Sequence, residues 1–272
     1  MKGKYLWALA ALFLVTLLIS AAAHAAVVGR FTLVEGQVDV LHHGQVPAVA
    51  AKLNDGVEPG DVIRTKSKAK AQVKFVDDSF VTMAPDSRIA VADFTYNAAT
   101  GERHAVLRFF KGVMHTLVTR VQHLQQPDFL TETHTAVLGV RGTEKYTILL
   151  PNATGAYLIS GLLEARSNNL QIPETVLLNP MEFTLIALGQ PPRMPKKITP
   201  AMLEALKALM NTGLKDTAFW GVGAGAGLGS GPQIPDILGF PGSPEYGQPV
   251  IPPKLVPQPQ PVQIQRGPTG AQ

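Results

Sequence analysis

The chain has 272 residues, no cysteine, 46% apolar residues and a formal charge of +4. The missing cysteines exclude disulfides, thiolate nucleophiles, iron–sulfur clusters and Cys-ligated zinc together, and with them the lipid-bearing Cys of a bacterial lipoprotein. A charge this close to neutral makes no global case for nucleic acid, which needs a clustered basic face.

Lys2 and Lys4 precede an apolar run from Tyr5 to Ile19, and Ala21-Ala22-Ala23-His24-Ala25 follows. A positive start, a short apolar stretch and small residues at Ala23 and Ala25 predict a secretory signal peptide over residues 1–25, cut after Ala25. The run is shorter than the ~20 residues of a spanning helix, so no stable membrane span is expected after cleavage; an uncleaved anchor is the alternative. Either way residues 26 onward are expected outside the cytoplasm, periplasmic or secreted. The charge falls to +2 when Lys2 and Lys4 leave with the signal segment.

From Val27 to Phe183 the text is strand and turn. Val38 and Val40 alternate with Gln37 and Asp39, and Asn54-Asp55-Gly56 through Pro59-Gly60-Asp61 is turn-rich before Val62-Ile63-Arg64-Thr65. Ala69, Ala71, Val73 and Phe75 alternate with Lys70, Gln72 and Lys74, the period-two pattern of a half-buried strand. Asp77-Asp78-Ser79 turns the chain into Phe80 to Met83, and Pro85-Asp86-Ser87 turns it again into Ile89-Ala90-Val91. Asn97 to Glu102 reads as a hairpin tip, followed by a strand from Ala105 to Phe110 and by Lys111-Gly112-Val113-Met114-His115. Phe129 to Thr135 comes after a polar interval, Tyr146 to Leu150 is aliphatic and β-branched, and Ala156 to Ala165 runs back after Pro151 to Gly155. Short strands at roughly 8–12-residue spacing describe a sandwich, barrel or solenoid rather than a βαβ fold. Glycines at 36, 112 and 161 each stand just before a strand, a recurrence compatible with stacked units although the copies are unevenly spaced.

Beyond Gln190-Pro191-Pro192 the period changes. Thr199 is an N-cap, Pro200 stands at the first helical position, Leu203, Leu206 and Leu209 or Met210 form a stripe, and Gly213 stops it. This predicts an amphipathic helix from about Pro200 to Thr212 docked on the β region. The Gly/Pro-rich composition of residues 215–272 predicts a disordered tail. Its Gly221 to Gly227 run lacks the strand, helix and acidic residue of a dinucleotide fingerprint, and no cofactor is expected.

No catalytic constellation emerges. The histidines at 42, 43, 104, 115, 123 and 134 are scattered without metal-ligand spacing, so no metal site is expected. Ser79, Ser87 and Ser160 stand in neither Gly-x-Ser-x-Gly nor Ser-x-x-Lys, and Asp77-Asp78 reads as a turn rather than an acid–base pair. Arg64, Lys66, Lys68, Lys70 and Lys74 share parity; with a turn at Lys66-Ser67-Lys68 the ladder shrinks to Lys70 and Lys74. That pair is a solvated face by default and an anionic-glycan site as the sharper reading. The most unusual stretch is Thr133 to Tyr146, where Arg141 and two glycines interrupt strand formers. A glycine there implies a bend or close approach. Arg141 therefore reads either as a cation pinning neighbouring strands or, with Thr143, as a ligand contact.

In order, Gly60-Asp61-Val62-Ile63-Arg64-Thr65, Ala71 to Phe75 with Val76-Asp77-Asp78-Ser79, Pro85-Asp86-Ser87-Arg88-Ile89, Lys111-Gly112-Val113, and Thr133 with Val140-Arg141-Gly142-Thr143-Glu144 resemble the FecR-type periplasmic domain. The resemblance covers about residues 55–165, inside a β domain placed at 26–190 with the linker and helix at 191–214. It implies an all-β, two-layered, solenoid-like or sandwich-like sensor or interaction domain, with an envelope protein or receptor as partner and no enzymatic activity. Gly60, Asp61, Thr65, Asp77, Asp78, Ser79, Gly112, Thr133 and Gly142 would be its structural motif. Two departures stand out. The usual Asp-Gly-Ser turn is Asp77-Asp78-Ser79, so either Asp78 takes the torsion glycine normally takes or the turn type differs. Only Met1 to Lys4 precede the apolar run, so the cytoplasmic sigma-regulatory role of the best-known members is not carried over.

Overall fold

The computed structural model describes residues 26–120 and 127–214; the predicted signal peptide and the Gly/Pro-rich tail lie outside the described residues. By backbone proximity the chain divides into residues 1–242 and 243–272, and everything described belongs to the first unit. The first strands are Gly29–Glu35 (β1), Val38–Leu41 (β2), Val49–Ala50 (β3), Gly56–Val57 (β4), Val62–Thr65 (β5), Lys70–Phe75 (β6), Phe80–Met83 (β7) and Arg88–Asn97 (β8). Three long strands follow, Glu102–Val118 (β9), Ala136–Leu150 (β11) and Ala153–Ser167 (β12), with the short Phe129–Glu132 (β10) before β11. Thr175–Leu178 (β13), Glu182–Ala187 (β14), Lys196–Lys197 (β15) and the helix Pro200–Thr212 (α1) complete the order.

The fifteen strands of the described residues are hydrogen-bonded into one open sheet that doubles back into two layers. The first layer runs β4-β1-β6-β7, then the C-terminal half of β9, the C-terminal half of β11, the N-terminal half of β12, β14 and β15. The second runs β3-β2-β5-β8, then the N-terminal half of β9, β10, the N-terminal half of β11, the C-terminal half of β12 and β13. Each of the three long strands therefore begins in one layer and ends in the other. The crossings fall at Gly112, Gly142 and Gly161, with φ of +103°, +57° and +93°. Gly36, between β1 and β2, makes the same passage.

The inward-facing residues of both layers form one apolar core, with Phe31, Val73 and Met83 from the first layer and Val40, Ile63, Ile89 and Leu107 from the second. Phe75 and Phe94 stack across the gap, centroids 4.7 Å apart and planes 8° from parallel. The strand alternation expected from Ala71, Val73 and Phe75 is this inner face; Lys70 and Lys74 point outward.

α1 covers part of the first layer's outer face. Met202, Leu206, Leu209 and Met210 pack on Tyr146, Ile148, Leu150, Tyr157, Phe183 and Leu185, a second apolar cluster separated from the core by the sheet itself. The Thr199 hydroxyl accepts the Met202 N–H at 3.2 Å, and the Gly213 N–H donates to Leu209 at 2.8 Å, so both ends of the helix are closed as the sequence predicts.

At Gly112 the backbone leaves no alternative residue: a Cβ there would lie 2.7 Å from Cα of Ser87, in a conformation that L-residues rarely adopt. Gly112→Ala is expected to cost more than about 2 kcal/mol, read as a lowered urea midpoint. A midpoint within a few tenths of wild type would show that the crossing can relax.

Candidate functional site

The motif residues converge on the crossings and turns between strands. Asp61, fully buried, accepts from the His43 and Glu58 amides at 3.1 and 3.0 Å and contacts His42 Nδ1 at 3.2 Å, closing the turn into β5. The Thr65 hydroxyl donates to the Ala84 carbonyl at 2.6 Å and accepts the Ser87 amide at 2.9 Å. The Ser87 hydroxyl meets both the carbonyl and the amide of Val113, beside Gly112. Thr133 organises the bend into β11: its hydroxyl accepts the Thr135 and Ala136 amides and meets Thr154 Oγ1 at 2.7 Å. Each buried hydroxyl or carboxylate thus satisfies backbone groups that the ladder cannot pair where a strand turns.

In the Asp77-Asp78-Ser79 turn Asp78 takes the glycine torsion, with φ +63°. Asp78→Gly should remove that strain and raise stability by about 0.5–1 kcal/mol, less whatever the exposed Lys74–Asp78 contact contributes. A chemical-denaturation midpoint lower than wild type would show that the aspartate holds the turn better than glycine.

Beneath that turn lies a buried ion cluster that sequence reasoning missed. Arg103, whose side chain is wholly buried, contacts Asp77 Oδ2 at 2.5 Å and Asp128 Oδ2 at 2.7 Å. It also donates to Ser79 Oγ and to the Thr119 carbonyl, and its guanidinium lies 5.6 Å from the Phe129 ring centre. The Asp128 contact is close enough for an ion pair, and Arg103 Nη2 has no hydrogen-bond acceptor among the described residues. The cluster ties the β6–β7 turn to β9 and to the start of β10.

A second missed group is Lys145. It is fully buried on the inner face of β11, and Nζ donates to Thr131 Oγ1 at 3.0 Å and Thr147 Oγ1 at 3.1 Å. Its register partner on β9 is Thr116, whose buried hydroxyl has no hydrogen-bond partner among the described residues. Burial alone pushes the amine down from 10.5 to about 7.

Arg141 is half-buried at the β11 crossing, while Thr143 is buried and its hydroxyl donates to the Leu162 carbonyl at 2.9 Å. Lys70 and Lys74 lie on the open part of the first layer's outer face. Lys70 Nζ donates to Asn211 of α1 at 3.1 Å; Lys74 Nζ lies 2.7 Å from Asp78 and 5.7 Å from the Phe80 ring centre. Between them Gln72 bridges Thr32 and Thr82, both at 2.9 Å. Farther across the same face His115 Nε2 meets Glu144 at 3.1 Å and its ring packs on Tyr146, with burial holding the imidazole below its ordinary proton affinity against the pull of Glu144. Arg64 and Lys66 are on the other layer, both on Asp39; burial pushes that carboxyl up, but the two cations outweigh it and hold it below its usual value. The chain turns at Lys66-Ser67-Lys68, where Lys68 has φ +59°, so the shared parity of the five basic residues is split between layers and the ladder shrinks to Lys70 and Lys74. The face brings Lys70 and Lys74 together and leaves Arg141 at a separate position.

Among the described residues, no group of three or more His, Asp or Glu side chains could hold a metal ion, and no helix is long and apolar enough to cross a membrane.

The family model described as FecR protein matches residues 61–157. No curated protein matches the chain. Two crystal structures of a protein from Parabacteroides distasonis, described as a candidate anti-sigma factor, are similar at 16% identity and a TM-score of 0.42. They cover 53% of this chain, which in turn spans 62% and 63% of theirs.

Proposed function

Because residues 61–157 of this chain are a FecR-type domain, we propose that the protein is a non-catalytic binding module of the cell envelope, exported by its first 25 residues and engaging an envelope protein or receptor. The observation that carries this reading is where the family pattern sits. Asp61, Thr65, Asp77, Ser79, Thr133 and Thr143 are all buried, and their side chains are spent on backbone or on other side chains of the scaffold, Arg103 and Thr154 among them. Recognition then falls to side chains outside that scaffold, and the outer face carrying Lys70, Gln72 and Lys74 beside α1 offers an uncovered, hydrogen-bonding surface on a rigid sheet. Arg141 is the other candidate contact, at the crossing of β11.

The test is in-cell cross-linking followed by recovery of the tagged protein. A Lys70→Glu/Lys74→Glu chain is expected to keep its melting temperature and lose its cross-linked partner. An Arg141→Ala chain that alone loses the partner would move the contact to the crossing, and unchanged recovery with both would sink both assignments.

A sensor role within an envelope signalling system is the more specific form of the same reading, in which residues 221–272 serve as a tether. Deleting them should abolish signalling while sparing partner recovery; intact signalling would remove the tether. Binding of an anionic glycan rests on Lys70 and Lys74 alone. No retention on purified envelope polysaccharide at low salt would dispose of it.

A further inference from the structure

Both layers of the sheet stop at the same two ends. At one end the last strands are β3 and β4, each two residues long and paired on one side only. At the other end they are β13 and β15, again paired on one side only. An unpaired edge offers backbone donors and acceptors to any strand that fits, and stacked architectures usually cap such ends with a polar surface.

Here the ends also carry exposed apolar side chains. Of eleven large apolar side chains left exposed among the described residues, eight lie at or beside the ends. Val27, Val46, Val49 and Leu53 are at the first; Leu170, Leu177, Leu188 and Met194 are at the second. The first end is also concave: Val27, Val40, Val49 and Ala51, together with Arg30, His42, Asp55 and Glu58, line a cleft of about 400 Å³ that is polar and apolar in equal measure. The outer faces, by contrast, are covered by α1 or carry mostly polar side chains.

Charge distinguishes the two ends at the edge strands themselves. β4 is flanked by Asp55 and Glu58, whereas β15 is Lys196-Lys197 with both residues exposed. Other charges are near. Arg30, on β1, is turned to the Asn54 carbonyl at 2.9 Å, and Lys52 stands in the preceding turn. Lys197 lies 3.0 Å from Glu182, and Glu174 precedes β13. Lysines on an edge discourage indiscriminate pairing, but opposite an acidic edge the same lysines select a partner.

We propose that the domain assembles head to tail with further copies of itself, the β13/β15 end of one copy seating on the β3/β4 end of the next. Lys196 and Lys197 then face Asp55 and Glu58 in the first layer, and Leu177 faces Val49 in the second. The contact is heterologous, so it propagates into a filament or closes into a ring.

The experiment is sedimentation equilibrium of the full exported chain over a concentration series, for the wild type, for K196E/K197E, for D55K/E58K, and for an equimolar mixture of the two variants. Wild-type mass is expected to rise with concentration, and each variant alone to associate at least tenfold more weakly. The mixture is expected to recover wild-type association, because each reversed end then meets an opposite charge. Recovery on mixing also demonstrates that both variants are folded. A wild-type chain that stays monomeric throughout, or a mixture no more associated than its components, overturns the proposal.

Discussion

Replacing Lys145 with methionine should stabilise the domain, and the gain should depend on pH in one window only. The amine sits in the interior, where its hydrogen-bond partners among the described residues are two threonine hydroxyls, and burial lowers its proton affinity from 10.5 to about 7. The unfolded chain therefore binds the proton more tightly than the folded one between about pH 7 and 10.5. Over that window wild-type stability rises with pH; below pH 7 both states hold the proton and this residue adds no further slope. The full span is about 5 kcal/mol as an upper bound, at about 1.4 kcal/mol per unit. Methionine leaves the two hydroxyls without their donor, so we expect a net gain of about 2–4 kcal/mol at pH 7. Urea denaturation at pH 7, 8 and 9 checks it. Wild type should gain about 2–3 kcal/mol across the series while Lys145→Met stays flat, a clean comparison because no cysteine titrates there. A flat wild type would show that the buried amine keeps its ordinary proton affinity, and a variant that keeps the slope would show that another group titrates in this window.

The opposite result is expected at Arg103. Removing one member of a buried ion cluster leaves its partners charged and dry, and Arg103→Met strands Asp77 and Asp128 together. The expected cost is about 3–5 kcal/mol, enough to unfold a marginal domain. Adding Asp77→Asn and Asp128→Asn should return part of it, since the neutral amides need no counter-charge. Arg141→Ala makes the comparison: a half-exposed arginine should cost roughly 1 kcal/mol or less. If the two arginines cost the same, or the triple variant is no better than the single one, the cluster is not what holds the β6–β7 turn to β9.

Arg103 and Lys145 also mark where the sequence stops being legible. Period-two alternation exposes the strands at 69–75 and 105–110, turn chemistry exposes the hairpins, and capping residues bracket the helix at 200–212, because each of these is decided by neighbours within a few residues. Arg103 meets partners 26 residues before it and 25 after it, and beside Glu102 and His104 it reads as an ordinary exposed hairpin stem. Lys145 alternates with Thr143 and Thr147, a pattern that suggests a solvent-facing row although the row faces inward. The long strands are legible only as fragments, since their breaks at Gly112, Gly142 and Gly161 look like strand ends. The loose recurrence of glycines at 36, 112 and 161 was nonetheless a real signal: each is a passage from one layer to the other. At the β11 crossing Gly142 makes the bend and Thr143 fastens it to the Leu162 carbonyl.

Three strands shared by both layers also constrain how such a domain can change length. A strand added to one layer alone would leave an apolar inner face with nothing opposite it. Insertions that survive should therefore arrive in matched pairs, one segment for each layer, joined by a residue able to make the crossing. Growth by this rule is stepwise: the domain can be extended by whole stitches, and a half-stitch leaves it open.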